Sequence, residues 1–223
     1  TKRDIITYLG VPEEKITVVY QGCHKAFKNT YTSEEKTAIR QKYRLPERFV
    51  LNVGAIESRK NALEIVKAIE PLEDISLVLV GKPTQYYEEI KRYCESHNLS
   101  ERVQLLSGVS MEDLAIIYQL ATVFCYPSVF EGFGIPIIEA LFSKTPVITS
   151  KGSCFPEAGG AHSIYVNLDR AATEIREAIV NITTDEALRT TMITEGYHYA
   201  QRFTDEAVFQ ELMKVYDQVR GKR

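Results

Sequence analysis

The sequence predicts an α/β domain with a Rossmann-like, doubly wound parallel sheet of about six strands and helices on both faces. Short runs rich in β-branched and aromatic residues alternate with amphipathic segments along most of the chain. The runs are apolar nearly throughout, as strands covered on both faces must be. Loops containing Gly54, Gly81, Gly108 and the Gly132–Gly134 pair each follow such a run. Right-handed crossovers then open all these loops on one edge, where ligands of such sheets bind.

Residues 1–9 read as the close of a helix, and ITVVY (16–20) as a strand without a nearby parallel partner. Residues 28–45 are polar and carry a linker and a short helix. The sheet strands are FVLNV (49–53), SLVLV (76–80), VQLL (103–106), TVFCY (122–126), PVIT (146–149) and SIYV (163–166). Helices fall between them near 61–71, 84–97, 111–120 and 136–143. Asn61 with Glu64 forms a capping pair for the first of these, and Ser110 with Asp113 a half-made one for the third. FPEAGG (155–160) reads as a structural loop containing Glu157, and His162 as a surface histidine. Three helices fill the tail near 170–182, 185–202 and 205–219, the last capped by Thr204.

A chain of 223 residues can bury a full core as one large or two small domains. A net charge of −3, with Lys and Arg spread evenly, argues against a nucleic-acid partner. The apolar stretch Leu114–Pro127 is interrupted by Gln119 and Thr122 and is shorter than the roughly 20 residues of a membrane span. Cys23, Cys94, Cys125 and Cys154 lack paired spacing and read as reduced thiols of a cytosolic protein. The four histidines are scattered, so no metal site is expected. The chain lacks an initiator Met and opens in mid-pattern, which reads as a piece of something longer.

The segment PSVFEGFGIPIIEAL (127–141) concentrates the chemistry. It follows a strand and opens a helix, with Pro136 suited to the first helical position. Gly132 and Gly134 allow close backbone approach or a positive φ. Free N–H groups at the helix start suit a phosphate, and Glu131 and Glu139 suit sugar hydroxyls. Arg59 and Lys60, in GAIESRKN, fall in the loop after the first sheet strand and point towards the same turn.

The combination PS..EGFG.P..EA resembles the signature of retaining nucleotide-sugar glycosyltransferases of GT-B architecture, family 4, the group 1 glycosyltransferases. VVYQGCHKAF, FVLNVGAIESRKN, LVLVGK, VQLLSGVSMEDLAIIYQLA, TPVITS and FPEAGG follow in that family's order. The resemblance makes Arg59 and Lys60 the clamp on a nucleotide diphosphate and Glu139 the acceptor of the ribose hydroxyls. Glu131 then faces the transferred sugar and steadies positive character at its anomeric carbon. The backbone at Gly54, Gly132, Phe133 and Gly134 lines the donor, and Lys82 and Val109 lie in the loops that meet the base. No metal or other cofactor is implied, since the two cations neutralise the diphosphate.

By the same resemblance, residues 1–22 belong to a missing acceptor-binding domain, 23–48 form a linker, 49–203 form the donor domain, and 204–223 form a helix crossing back. The implied partners are a nucleotide-sugar and a glycan, lipid-linked or polysaccharide acceptor, the latter reached through the missing domain. The implied location is cytoplasmic, with peripheral attachment of the full-length protein at the inner face of a membrane. The family glycine before the P-V strand is replaced by Lys144, and the tryptophan opening the last helix by FTDEA. A non-catalytic nucleotide-binding module, or another GT-B enzyme such as a sugar-nucleotide epimerase, is the alternative reading.

Overall fold

The computed structural model describes residues 1–221, so the last two positions of the 204–223 segment lie outside the described residues. The strands are β1 (Phe49–Val53), β2 (Ser76–Val80), β3 (Val103–Leu106), β4 (Val123–Tyr126), β5 (Val147–Ser150) and β6 (Ile164–Val166). They form one parallel sheet in the order β3-β2-β1-β4-β5-β6. The order reverses between β1 and β4, where Leu51 pairs with both Val78 and Phe124. A crevice at the carboxyl ends of these two strands is the topological switch point of the fold.

The helices are α1 (Lys2–Leu9), α2 (Ser33–Tyr43), α3 (Ala62–Ile69), α4 (Tyr86–Ser96), α5 (Met111–Leu120), α6 (Ile135–Phe142), α7 (Phe155–Gly159), α8 (Ala171–Thr184), α9 (Glu186–Ala200) and α10 (Asp205–Arg220). Successive strand side chains face opposite ways, so each strand feeds two cores. Phe49, Leu51, Val53, Phe124 and Tyr126 pack with α5, α6 and α7. Val50, Val123, Cys125 and Ile148 pack with α3, α4 and α8. Residues 23–48 contribute Ala26, Phe27, Ile39 and Leu45 to the first core. By contrast, α1 and α10 bury no residue. No helix among the described residues is long and apolar enough to cross a membrane.

Four local expectations are corrected. ITVVY forms no strand; Val18, Val19 and Tyr20 border a cleft with Ala207 and Val208 of α10, away from the sheet, and pair with no strand among the described residues. FPEAGG is the helix α7 rather than a loop, with Pro156 in its first turn and Phe155 and Ala158 buried. Asn61 does not cap α3 with its side chain: a 3-10 turn at Ser58–Lys60 drives it to φ 59°, a left-handed conformation that asparagine tolerates. Glu64 pairs with Lys67 at 2.6 Å instead. Finally, α6 begins at Ile135, so Pro136 is its second residue and Glu139 falls just past the first turn.

Two other caps form as anticipated. Ser110 Oγ accepts from the Asp113 N–H while the Asp113 carboxylate turns away to Tyr43, and Thr204 Oγ1 accepts from the Ala207 N–H.

Candidate functional site

The loops after β1 and β4 are tied together across the switch point. The Val129 N–H donates to the Arg59 carbonyl at 2.8 Å, and the Ser128 hydroxyl lies 3.1 Å from that same oxygen. Further back, the Gly54 N–H donates to Val80 O, and the Ile56 N–H to Lys82 O. The two loops that flank the β1 end are therefore held by backbone hydrogen bonds, and the side chains they carry are aimed by a rigid frame.

Three donors converge on one oxygen, Oε1 of Glu131. Lys60 Nζ lies at 2.5 Å, Ser128 Oγ at 2.7 Å and Arg59 Nη1 at 2.8 Å. Lys60 also donates to the Tyr126 hydroxyl and stands 4.5 Å above that ring's centroid. Gly54 lies beside this buried ammonium: a Cβ there would stand 3.4 Å from Lys60 Cε, in ordinary contact, and it is the φ of 133° that calls for glycine. Arg59 is half exposed, its Nε donating to Glu57 at 2.9 Å.

Burial by itself would raise the pKa of Glu131, but the hydrogen bonds from Lys60 and Ser128 outweigh it and hold the carboxyl below its ordinary value. Burial, reinforced by Glu131, keeps the Tyr126 phenol firmly protonated.

Glu139 is in a different state. It is buried to 9% exposure on α6, and that burial pushes its carboxyl up to about 7, against the lowering effect of the Tyr118 hydroxyl. The Tyr118 O–H donates to Glu139 Oε2 at 3.0 Å. Between the two glutamates lies the glycine turn. The N–H groups of Gly132, Phe133 and Gly134 have no hydrogen-bond partner among the described residues. Gly134 takes φ 102°, and open space surrounds Gly132. Phe133 stacks on Tyr20 at 5.2 Å.

Arg59, Lys60 and Glu131 are thus brought into direct contact with Gly54 beside Lys60, and Gly132, Phe133, Gly134 and Glu139 follow on the same turn and helix. Lys82 is exposed and Val109 half-buried on the neighbouring loops of the same edge. The Val109 side chain packs on the first core, which leaves its backbone for any ligand contact. Tyr126, Ser128 and Tyr118 join the site without having been singled out from sequence. A phenol at a core position must find an acceptor, so Tyr118 in the apolar run AIIYQL carried a legible signal. No group of three or more His, Cys, Asp or Glu able to hold a metal occurs among the described residues.

A 3-2-1-4-5-6 parallel sheet with a charged site at its switch point defines a Rossmann-like α/β domain. The chain belongs to the glycosyl transferases of group 1, whose family model matches residues 35–199. It is 34% identical over 169 residues to the O-antigen chain mannosyltransferase RfbU of Salmonella typhimurium, covering 75% of this chain and 44% of that relative. It is 29% identical over 193 residues to the serotype-specific mannosyltransferase WbdA of Escherichia coli, covering 83% of this chain and 24% of that one. The chain therefore spans less than half the length of these curated relatives.

Its fold matches a glycosyltransferase from Rickettsia africae with TM-score 0.89 at 19% identity, over 98% of this chain and 61% of that one. It also matches Anabaena Alr3699/HepE, solved with UDP and glucose, with TM-score 0.84 at 18% identity, over 98% and 60%. These likenesses establish the GT-B type of Rossmann-like domain.

Proposed function

We propose that this chain is the donor-binding half of a retaining glycosyltransferase, which takes a sugar from a nucleotide diphosphate-sugar to a glycan, lipid-linked or polysaccharide acceptor. The observation that carries the reading is the convergence of Arg59 and Lys60 on Glu131 at the switch-point edge. Both cations sit where a diphosphate would lie against the N–H groups of the glycine turn. The names of the relatives, mannosyltransferases of O-antigen chains, and the UDP bound by HepE point the same way.

The chemistry follows from the geometry. An incoming diphosphate draws Arg59 and Lys60 from Glu131, the guanidinium gripping paired oxygens and the ammonium acting as a point charge. The two cations then stabilise the charge that grows on the leaving diphosphate as the glycosidic bond breaks, so the donor step needs no metal. Glu131, released by the two cations, turns to the sugar and supports positive character at its anomeric carbon. Glu139 receives the ribose hydroxyls, with the backbone of Gly54 and the loops bearing Lys82 and Val109 completing the donor site.

Residues 1–22 and 204–221 fit contacts with an acceptor-binding domain. The α10 face bearing Phe209, Leu212, Tyr216 and Val219 is exposed and apolar, as a helix packed on a second domain would be. Transfer would then require that domain, and the chain alone binds donor without turnover. Calorimetric titration with UDP, GDP, ADP and their sugar conjugates tests the reading. Selective binding of one base, weakened about tenfold or more by Arg59→Ala and by Glu139→Ala, is expected. No binding of any of these at millimolar concentration would overturn it.

A further inference from the structure

Glu139 has two carboxylate oxygens with different environments. Oε2 accepts the Tyr118 hydroxyl at 3.0 Å. Oε1 has no hydrogen-bond partner among the described residues, yet it is not among their buried, unpartnered polar atoms. It is therefore the oxygen that reaches solvent. Tyr118 itself is fully buried and cannot touch a ligand. Its ring is fixed by Phe27, edge-on at 5.4 Å, and by Phe124 at 5.1 Å, while its carbonyl is held by Thr145 Oγ1 at 2.7 Å. The hydroxyl also lies 3.3 Å from the Pro136 carbonyl, but the Glu139 oxygen is the nearer acceptor.

We propose that Tyr118 is a positioning residue: it anchors Oε2 of Glu139 and so presents Oε1 to the ribose diol of the donor. The inference rests on the donor-site reading above. A buried carboxylate on a three-torsion side chain has several rotamers open to it, and one fixed oxygen selects the rotamer that faces the cleft. Cys23 and Tyr126 also sense the Glu139 charge from the neighbouring elements, but neither donates a hydrogen bond to it. The phenol alone supplies the aim.

The test is the preference for ribose over 2′-deoxyribose, measured by calorimetry on the 223-residue chain with UDP, GDP and their 2′-deoxy counterparts. The wild type is expected to prefer the ribonucleotide by about tenfold or more. Tyr118→Phe, which deletes one oxygen, is expected to shrink that preference to about twofold, weakening the ribonucleotide more than the deoxynucleotide, which keeps only its 3′ hydroxyl for the contact. A purely structural role would weaken both forms equally and keep their ratio. A retained ratio in Tyr118→Phe overturns the inference and leaves the donor site standing. A wild type that binds neither nucleotide overturns the donor-site reading and this inference with it, whereas one that binds both sugars equally overturns the contact of Glu139 with the ribose and therefore this inference. Proton NMR of the wild type gives a check that needs no variant. The Tyr118 hydroxyl proton should stay protected from exchange when UDP is added, and its loss on binding would show that the pair breaks and would overturn the proposal.

Discussion

Lys60 Nζ and Glu131 Oε1 lie 2.5 Å apart, with side chains only 8% and 13% exposed. An ion pair this shielded is worth little net stability while intact, but removing one partner strands the other. Lys60→Met should therefore destabilise the fold by about 2 kcal/mol, less than a wholly buried pair loses, because Arg59 and Ser128 still reach Glu131. Lys60→Met combined with Glu131→Gln should recover part of that loss. Urea denaturation of the single and double variants checks both, and an additive double variant would mean that the two groups are not coupled.

The stability supplied by Glu131 follows its lowered pKa. It is fully present above the ordinary carboxylate value of 4.5 and is lost as pH falls through the depressed folded value.

Glu139 has the opposite sign. Its folded carboxyl titrates near 7 against an ordinary 4.5, so between those values the folded state holds a proton that the unfolded chain has released. Stability contributed at this position therefore falls as pH rises from about 4.5 to 7, and the full penalty, about 3 kcal/mol, applies above that. Glu139→Gln should be more stable than the wild type at pH 8 and closer to it at pH 4.5, while binding nucleotide less tightly. Urea midpoints at the two pH values read this directly. A variant with the wild-type pH dependence would show that Glu139 is not the group responsible.

The parallel sheet, its loops and the pairing of a cationic loop with the EGFG turn were all readable, because buried strands announce themselves as apolar runs and each loop follows one. What stayed hidden depended on tertiary placement. ITVVY has the composition of a strand but borders α10 and pairs with no strand among the described residues. The Asn61 cap failed because the 3-10 turn that positions Arg59 and Lys60 forces Asn61 into a left-handed backbone. The partners of Tyr118 and Tyr126 lie 21 and 66 residues away in sequence, so no local pattern names them, whereas Ser128 and Glu131 are only 3 apart.

Lys144 adopts φ 58° after α6, the left-handed position where a glycine is usual. The backbone is kept despite the Cβ, and Thr145 N–H still reaches the Ala140 carbonyl at 2.9 Å. The strain of about 1 kcal/mol is partly offset by the ammonium lying 4.9 Å over the Tyr197 ring. Lys144→Gly should raise stability by about 0.5–1 kcal/mol without touching nucleotide affinity, since the position lies at the opposite end of α6 from the glycine turn. A melting temperature equal to or below that of the wild type would refute it.

Two glycines on the site edge separate structure from binding. A Cβ on Gly81 would fall 1.9 Å from the Gly54 carbonyl oxygen and 2.6 Å from its carbon, both backbone atoms held by the β1–β2 ladder. Relief requires the two strand ends to part, which disturbs the Gly54 loop beside Lys60. Gly81→Ala should therefore lose about 3 kcal/mol or more, in the manner of an overpacked core. Gly132, in contrast, has nothing within 4 Å of where a Cβ would stand, so Gly132→Ala should melt like the wild type. The same open space is where the proposed diphosphate-sugar would approach the turn, so a methyl group there should weaken nucleotide binding severalfold. Melting curves and calorimetry on the two variants should thus show opposite patterns. Equal loss of stability in both would mean that the glycine turn is a structural device and that its open space is not kept for a ligand.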